Sequence, residues 1–143
     1  MLPACEQWEK ILNETPSDLL ALKFAHDAYF YLGNKQSLRD SIARVFPKWK
    51  PTMPCYRTGK VSTNDFSYLY GMYAFGLEEC EQYDEAERYA KKGLDLNRHD
   101  AWATHALAHC MEMNGRFEEG IHFMESTETD WNVSLFIQRF RLC

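Results

Sequence analysis

His105, His109 and Glu112 are the residues whose types and spacing could do chemistry. Intervals of four and three put all three on one face of a helix. Two imidazoles and a carboxylate are a ligand set that zinc accepts. With further ligands from elsewhere they would make the core of a metal-dependent enzyme. The segment reads HALAH, not H-E-x-x-H, so the general base of a metalloprotease is missing. His99 precedes the helix, and no fourth ligand is near in sequence. The plainer reading is a pair of partly buried histidines hydrogen-bonded to their neighbours. No Gly-rich phosphate loop, G-x-S-x-G motif, Cys–His signature or paired-carboxylate motif stands out. The sequence therefore assigns no catalytic residue and no cofactor.

The elements that must position these residues come from an internal repeat. YLYGMYAFGLEECEQYDEAERYAKKGLDLN (68–97) aligns with WATHALAHCMEMNGRFEEGIHFMESTETDW (102–131) through Ala86 and Gly120, 34 residues apart. Gly33 precedes Leu38 by five residues, as Gly115 precedes Gly120, so Leu38 is the matching anchor of an earlier unit. Another step of 34 reaches Ala4, followed by Trp8 and Pro16. The longer interval from Leu38 to Ala86 implies an insertion within PKWKPTMPCYRTGKVSTND (47–65), which holds three of the five prolines. The predicted fold is all-α, an α-solenoid of antiparallel helix hairpins like those of tetratricopeptide (TPR) repeats. Its expected organisation is a partial repeat helix plus the first hairpin over 1–46, the inserted loop over 47–65, two hairpins over 66–132, and an atypical tail over 133–143.

The segments LALKFAHDAYFYLG, AFGLEECEQYDEAERYAKKGL and DAWATHALAHCMEM, followed by ETDW, resemble the tetratricopeptide repeat protein 38 family. The likeness spans about residues 1–133. It implies a fragment or shortened form of a longer helical array and carries no biochemical activity with it. The units depart from the general consensus: its early Trp is Leu22, Tyr70 and Thr104, its small second-helix anchor is Leu38 in the first unit, and its closing Pro is Arg98 and Asn132.

Local signals agree with helices. Thr15 and Pro16 are expected to open a helix with Leu19, Leu22, Phe24, Ala25, Ala28 and Tyr29 as its apolar stripe, ended by Gly33. Leu38, Ile42, Val45 and Phe46 recur at helical spacing until Pro47. Asn64 or Asp65, Asp84 and Asp100 are expected caps, and Phe117, Ile121 and Met124 line the last return helix. The second, fifth, ninth and twelfth residues of each first helix should face a concave groove. These are Leu20, Lys23, Asp27 and Phe30; Tyr68, Gly71, Phe75 and Glu78; and Trp102, His105, His109 and Glu112. The Lys, Arg and Asn clamp that holds a peptide's terminal carboxylate is missing from these positions. Partner contact is assigned to Tyr68, Phe75, Glu78, Trp102, His105, His109 and Glu112; several aromatics could equally be core.

Composition narrows the function classes. Net charge is −5, and the only basic cluster is Arg139 with Arg141, so nucleic-acid binding is not expected. No stretch approaches the ~20 apolar residues that span a bilayer, and MLPACEQWEK has no signal-peptide pattern. An odd set of five cysteines without C-x-x-C spacing fits reduced thiols, with Cys55 the expected exposed one, and a cytoplasmic protein. Gln138 and Arg141 stand where an array would continue with apolar residues, so uncapped ends are expected to promote self-association. The leading expectation is an interaction module binding a protein or peptide. The alternatives are the metal-dependent enzyme and a purely architectural section of a longer solenoid.

Overall fold

The computed structural model describes residues 3–49 and 63–132. Among them the regular structure is entirely helical: α1 (Pro3–Glu14), α2 (Leu19–Tyr31), α3 (Lys35–Val45), a 3₁₀ turn (Phe46–Lys48), α4 (Thr63–Glu79), α5 (Tyr83–Leu96), α6 (Ala101–Met113), α7 (Phe117–Ser126) and α8 (Glu128–Trp131). Each helix packs against the next along the chain, and α6 lies against both α4 and α5. No described helix is long and apolar enough to cross a membrane. The tail 133–143 and most of the expected insertion, including Cys55, lie outside the described residues.

Three helix ends share one turn. At Gly33 (φ 64°) the amide bonds the Phe30 carbonyl, and the Asn34 amide bonds that of Tyr29. At Gly115 (φ 72°) the same pair of bonds runs to Glu112 and, from Arg116, to Met111. At Glu81 (φ 63°) it runs to Glu78 and, from Gln82, to Leu77. Each is a Schellman motif, which satisfies two orphan carbonyls while reversing the chain. A Cβ on Gly33 or Gly115 would meet nothing within 4 Å, so glycine is favoured there by conformation alone.

Several caps differ from expectation. Asp18, not Thr15, caps α2 by accepting from the Ala21 amide at 2.9 Å. Helix α4 starts at Thr63, which places Asn64 and Asp65 inside it and moves the expected boundary at 65/66. Helix α5 starts one residue before Asp84, with Gln82 at the cap position and no side-chain bond there. After the same turn at Gly33, Asn34 caps α3 by accepting from the Ser37 amide at 3.1 Å, whereas the longer Gln82 side chain makes no such bond. Asp100 does cap α6. Helix α3 ends at Val45, and Pro47 sits in the 3₁₀ turn that follows. That turn leads to buried Trp49, whose indole N–H donates to the Pro16 carbonyl at 2.8 Å.

The core falls into a main cluster reaching from α1 to α6 and a small one of Leu77, Ala86 and Cys110. Leu12, Leu22, Leu38, Ile42, Leu69 and Phe75 are among its fully buried side chains. Of the anchors, Leu38 and Ala86 are buried, Gly120 is half-buried and Ala4 is exposed. Phe24, expected in the core stripe, is 46% exposed and stacks on Trp8 at 5.8 Å. Phe117 and Ile121 are 61% and 58% exposed, so they line a surface rather than an interior.

Glu81 holds a left-handed conformation that costs an L-residue ~1–2 kcal/mol. Its ion pair with Lys35 is solvent-exposed and contributes little. Glu81→Gly should therefore raise stability by about 0.5–1 kcal/mol after glycine's extra unfolded-state entropy. Urea unfolding checks this: a lowered midpoint would show that the side chain matters more than the backbone.

Candidate functional site

Side chains of α2, α4 and α6 meet on one face, beside a buried carboxylate. Asp100 is fully buried. One of its oxygens accepts from the Trp102 and Ala103 amides at 3.1 and 3.2 Å, which caps α6. The other lies 2.8 Å from the Ser67 hydroxyl of α4, which is also 3.1 Å from the Gly93 carbonyl of α5. Gly71 makes room for it: a Cβ there would stand 2.5 Å from Asp100 Oδ1. Burial pushes Asp100 up to about 6, against the pull of Ser67 and the two amides.

Around this node the predicted groove residues come together as a ring cluster. Phe75 lies 4.6 Å from Trp102, 5.2 Å from His105 and 5.4 Å from Phe30, centroid to centroid. Lys23, ion-paired with Asp27, sits 5.6 Å over the Trp102 ring. Phe75 is 0% exposed and Trp102 7%, so these two assigned contact residues are interior packing and present almost no surface. Phe75 fills the space between Phe30 of α2 and Trp102 of α6, as the core reading of an aromatic stripe allows. Surface on this face comes from Leu20 (48%) and Tyr68 (40%), with His109 and Glu112 at one end.

The cluster also contains His26, a lone histidine in an apolar stretch with no motif around it. It is fully buried and 5.0 Å from Trp102 and 5.7 Å from Phe75. Its Nε2 is 3.2 Å from the Met72 carbonyl, so that nitrogen carries the proton and donates; Nδ1 has no hydrogen-bond partner. Burial lowers its pKa to about 3, and it stays neutral.

His105 and His109 have ring centroids 4.5 Å apart, and His109 Nδ1 is 3.1 Å from Glu112 Oε2. Burial first, then His109, lowers His105 to about 4. Among the described residues no group of three or more His, Cys, Asp or Glu side chains is arranged to hold a metal ion. His105 packs its ring against Phe75, centroid to centroid at 5.2 Å.

Glu78 is the most perturbed carboxyl on this face. Burial, then Glu79 and Glu112, raises it to about 7, and its Oε2 is buried with no hydrogen-bond partner. Cys110 is buried, which pushes its thiol up to about 12 and removes it as a nucleophile. Cys5 is a free buried thiol as well, and Cys80 is half-buried. No protein-family model matches the chain.

Two titrations of opposite sign follow. A carboxyl raised in the folded state contributes stability below its ordinary value, and that stability is lost as pH rises through the folded value. Glu78→Gln should therefore raise the melting temperature at pH 8 and leave it nearly unchanged at pH 4. An equal shift at both pH values would show that the charge is not the cause. A histidine lowered in the folded state does the reverse: stability is present above 6.5 and is lost as pH falls. His105→Gln should flatten the fall in melting temperature between pH 6.5 and 4, and an unchanged slope would reject the assignment.

Proposed function

We propose that this chain is a TPR-like α-solenoid of antiparallel hairpins that serves as a protein–protein interaction module. The observation that carries this reading is the repeated turn. Gly33, Glu81 and Gly115 hold the same left-handed position, with the same two hydrogen bonds. Their intervals, 48 and 34 residues, equal those between Leu38, Ala86 and Gly120. Helices α3, α5 and α7 each start two residues later. Stacked units of this kind have no single active centre; they offer an extended surface built from equivalent positions.

The surface on offer is the margin of the α2–α4–α6 face. Leu20 and Tyr68 occupy equivalent positions and give apolar area that costs little side-chain entropy to order. At the other end Glu78 and Glu112 form an acidic edge, each disfavouring the other's charge. A partner segment pairing apolar side chains with a Lys or Arg satisfies both ends, and its cation would return Glu78 to the ionised form. The enclosed Phe75 and Trp102 rings support this margin from beneath without touching the partner.

Leu20→Ala together with Tyr68→Ala should lower retention of a bound partner at least ~10-fold, the usual cost of losing central apolar anchors, while the melting temperature holds. Arg88→Ala, on the exposed side of α5, should leave retention unchanged. The reverse pattern, with Arg88 essential and the pair dispensable, would place the partner on the opposite surface.

A further inference from the structure

A second surface lies between α6 and α7, away from the Leu20–Tyr68 margin. It is an apolar groove of about 350 Å³ lined by Ala108, Phe117, Gly120, Ile121 and Met124. Its remaining lining residues are acidic, Glu112 and Glu125, and both are exposed. No residue of α7 is buried, although Phe117, Ile121 and Met124 form an apolar stripe at helical spacing. Apolar area left open in this way marks an interaction site.

The hairpin register shows what shape this groove takes; the inference rests on that reading. Ala108, Gly120 and Met124 correspond to Ala74, Ala86 and Ala90 one unit earlier, and to His26, Leu38 and Ile42 before that. All six of those earlier residues are at most 1% exposed. Helix α6 lies across α4 and α5 where the middle set is buried. At the third level the equivalents are only half-buried, beside exposed Phe117 and Ile121. Among the described residues no helix lies across α6 and α7 as α6 lies across α4 and α5.

We propose that this groove binds one basic amphipathic helix of a partner protein. Its apolar side chains pack on Phe117, Ile121 and Met124, and a Lys or Arg at each end meets Glu112 or Glu125. The helical form follows from the equivalent groove on α4 and α5, which a helix fills. The basic character follows from charge. Over 101–132 the acidic residues are Glu112, Glu118, Glu119, Glu125, Glu128 and Asp130, and Arg116 is the sole Lys or Arg. Arg116 is already paired with Glu87 and Glu119. A second copy meeting this face with its own would set acid against acid. The length follows from the hairpin. Glu112 borders the Gly115 turn, and Glu125 lies at the far end of α7. From Phe117 to Glu125 the helix rises about 12 Å, so the partner's two cations stand roughly two turns apart.

A fluorescently labelled synthetic helix tests this on the full chain. It carries leucines at spacings of three and four between two lysines placed two turns apart. One control replaces both lysines with glutamates, and another keeps the composition but scatters the leucines around the helix. The lysine peptide should bind saturably, at least ~10-fold tighter than either control. Glu112→Lys with Glu125→Lys should reverse the preference toward the glutamate peptide. Ile121→Asp, at an exposed position, should weaken binding at least ~10-fold while the melting temperature holds. In the complex the α7 amides should exchange more slowly, with α2 and α3 unchanged. Absence of saturable binding, equal binding of a control, or indifference to Ile121→Asp would each overturn the proposal. So would α7 protection that grows with protein concentration without peptide, which would assign the groove to a second copy. Binding seen only with a chain ending at Asn132 would overturn it too, by assigning the groove to the chain's own end. Leu20→Ala with Tyr68→Ala should leave peptide binding unchanged, so failure here and failure of the margin are read separately.

Discussion

A single buried carboxylate sets how closely the central three helices approach. Asp100 caps α6, meets Ser67 of α4, and shares that hydroxyl with the Gly93 carbonyl of α5. Taking a carboxylate out of water costs several kcal/mol unless hydrogen bonds replace its hydration. Here the donors are two backbone amides at a helix N-terminus, where the helix dipole also favours negative charge. Two close approaches follow. Gly71 can carry no Cβ because the Asp100 oxygens occupy that space. At Gly93 a Cβ would crowd Ala103 and Tyr70 at 3.2 and 3.3 Å. A protonated Asp100 could donate to Ser67 and free that hydroxyl for the Gly93 carbonyl, so the junction keeps a satisfied arrangement in either state.

The helices were legible in the sequence because their ends are marked by chemistry that acts locally. Glycine at 33 and 115 announced a left-handed stop, and Asp100 announced a start. Glu81 gave no such sign. Its left-handed backbone is imposed by the packing of α4 against α5, and only the spacing from Leu38 and Ala86 pointed to a turn there. Asp18 displaced Thr15 as a cap for a related reason. The Asp18 amide bonds back to the Thr15 carbonyl, so 15–18 form a turn before the helix starts. Local propensity ranks both residues as caps and cannot choose between them.

The candidate site was legible in membership but not in depth. Helical spacing brought Phe30, Phe75, Trp102, His105 and His109 to one face, and the rings do meet there. Spacing along one helix cannot say whether a neighbouring helix covers that face. Phe75 is enclosed by Phe30, His26 and Trp102 from two other helices, which places it in the interior. His26 escaped notice for the converse reason, since a lone histidine among Leu, Ala and Phe has no motif. One of its ring nitrogens is satisfied by the Met72 carbonyl, across 46 residues of sequence, and the other is buried without a hydrogen bond.

Burial along the chain has a direction that bears on how such a protein can be used. Equivalent positions are sealed at α2–α3 and α4–α5 and open at α6–α7. In a stack held by nearest-neighbour contacts, each sealed junction stabilises the units on both sides, whereas an open one leaves its unit tied from one side only. Helix α7 fits that description: it packs on α6, Phe123 reaches the edge of the core, and Arg116 just before it pairs with Glu87 of α5. The two surfaces differ in kind as a result. A ligand on the proposed Leu20–Tyr68 margin would rest on helices whose other faces are already buried and would pay little to order them. Anything in the α6–α7 groove completes the packing of a helix that is otherwise half-covered, so its binding energy appears as local stability. Occupancy of the groove would therefore firm up His109 and Glu112, which α6 shares with the margin, without altering which residues the margin presents.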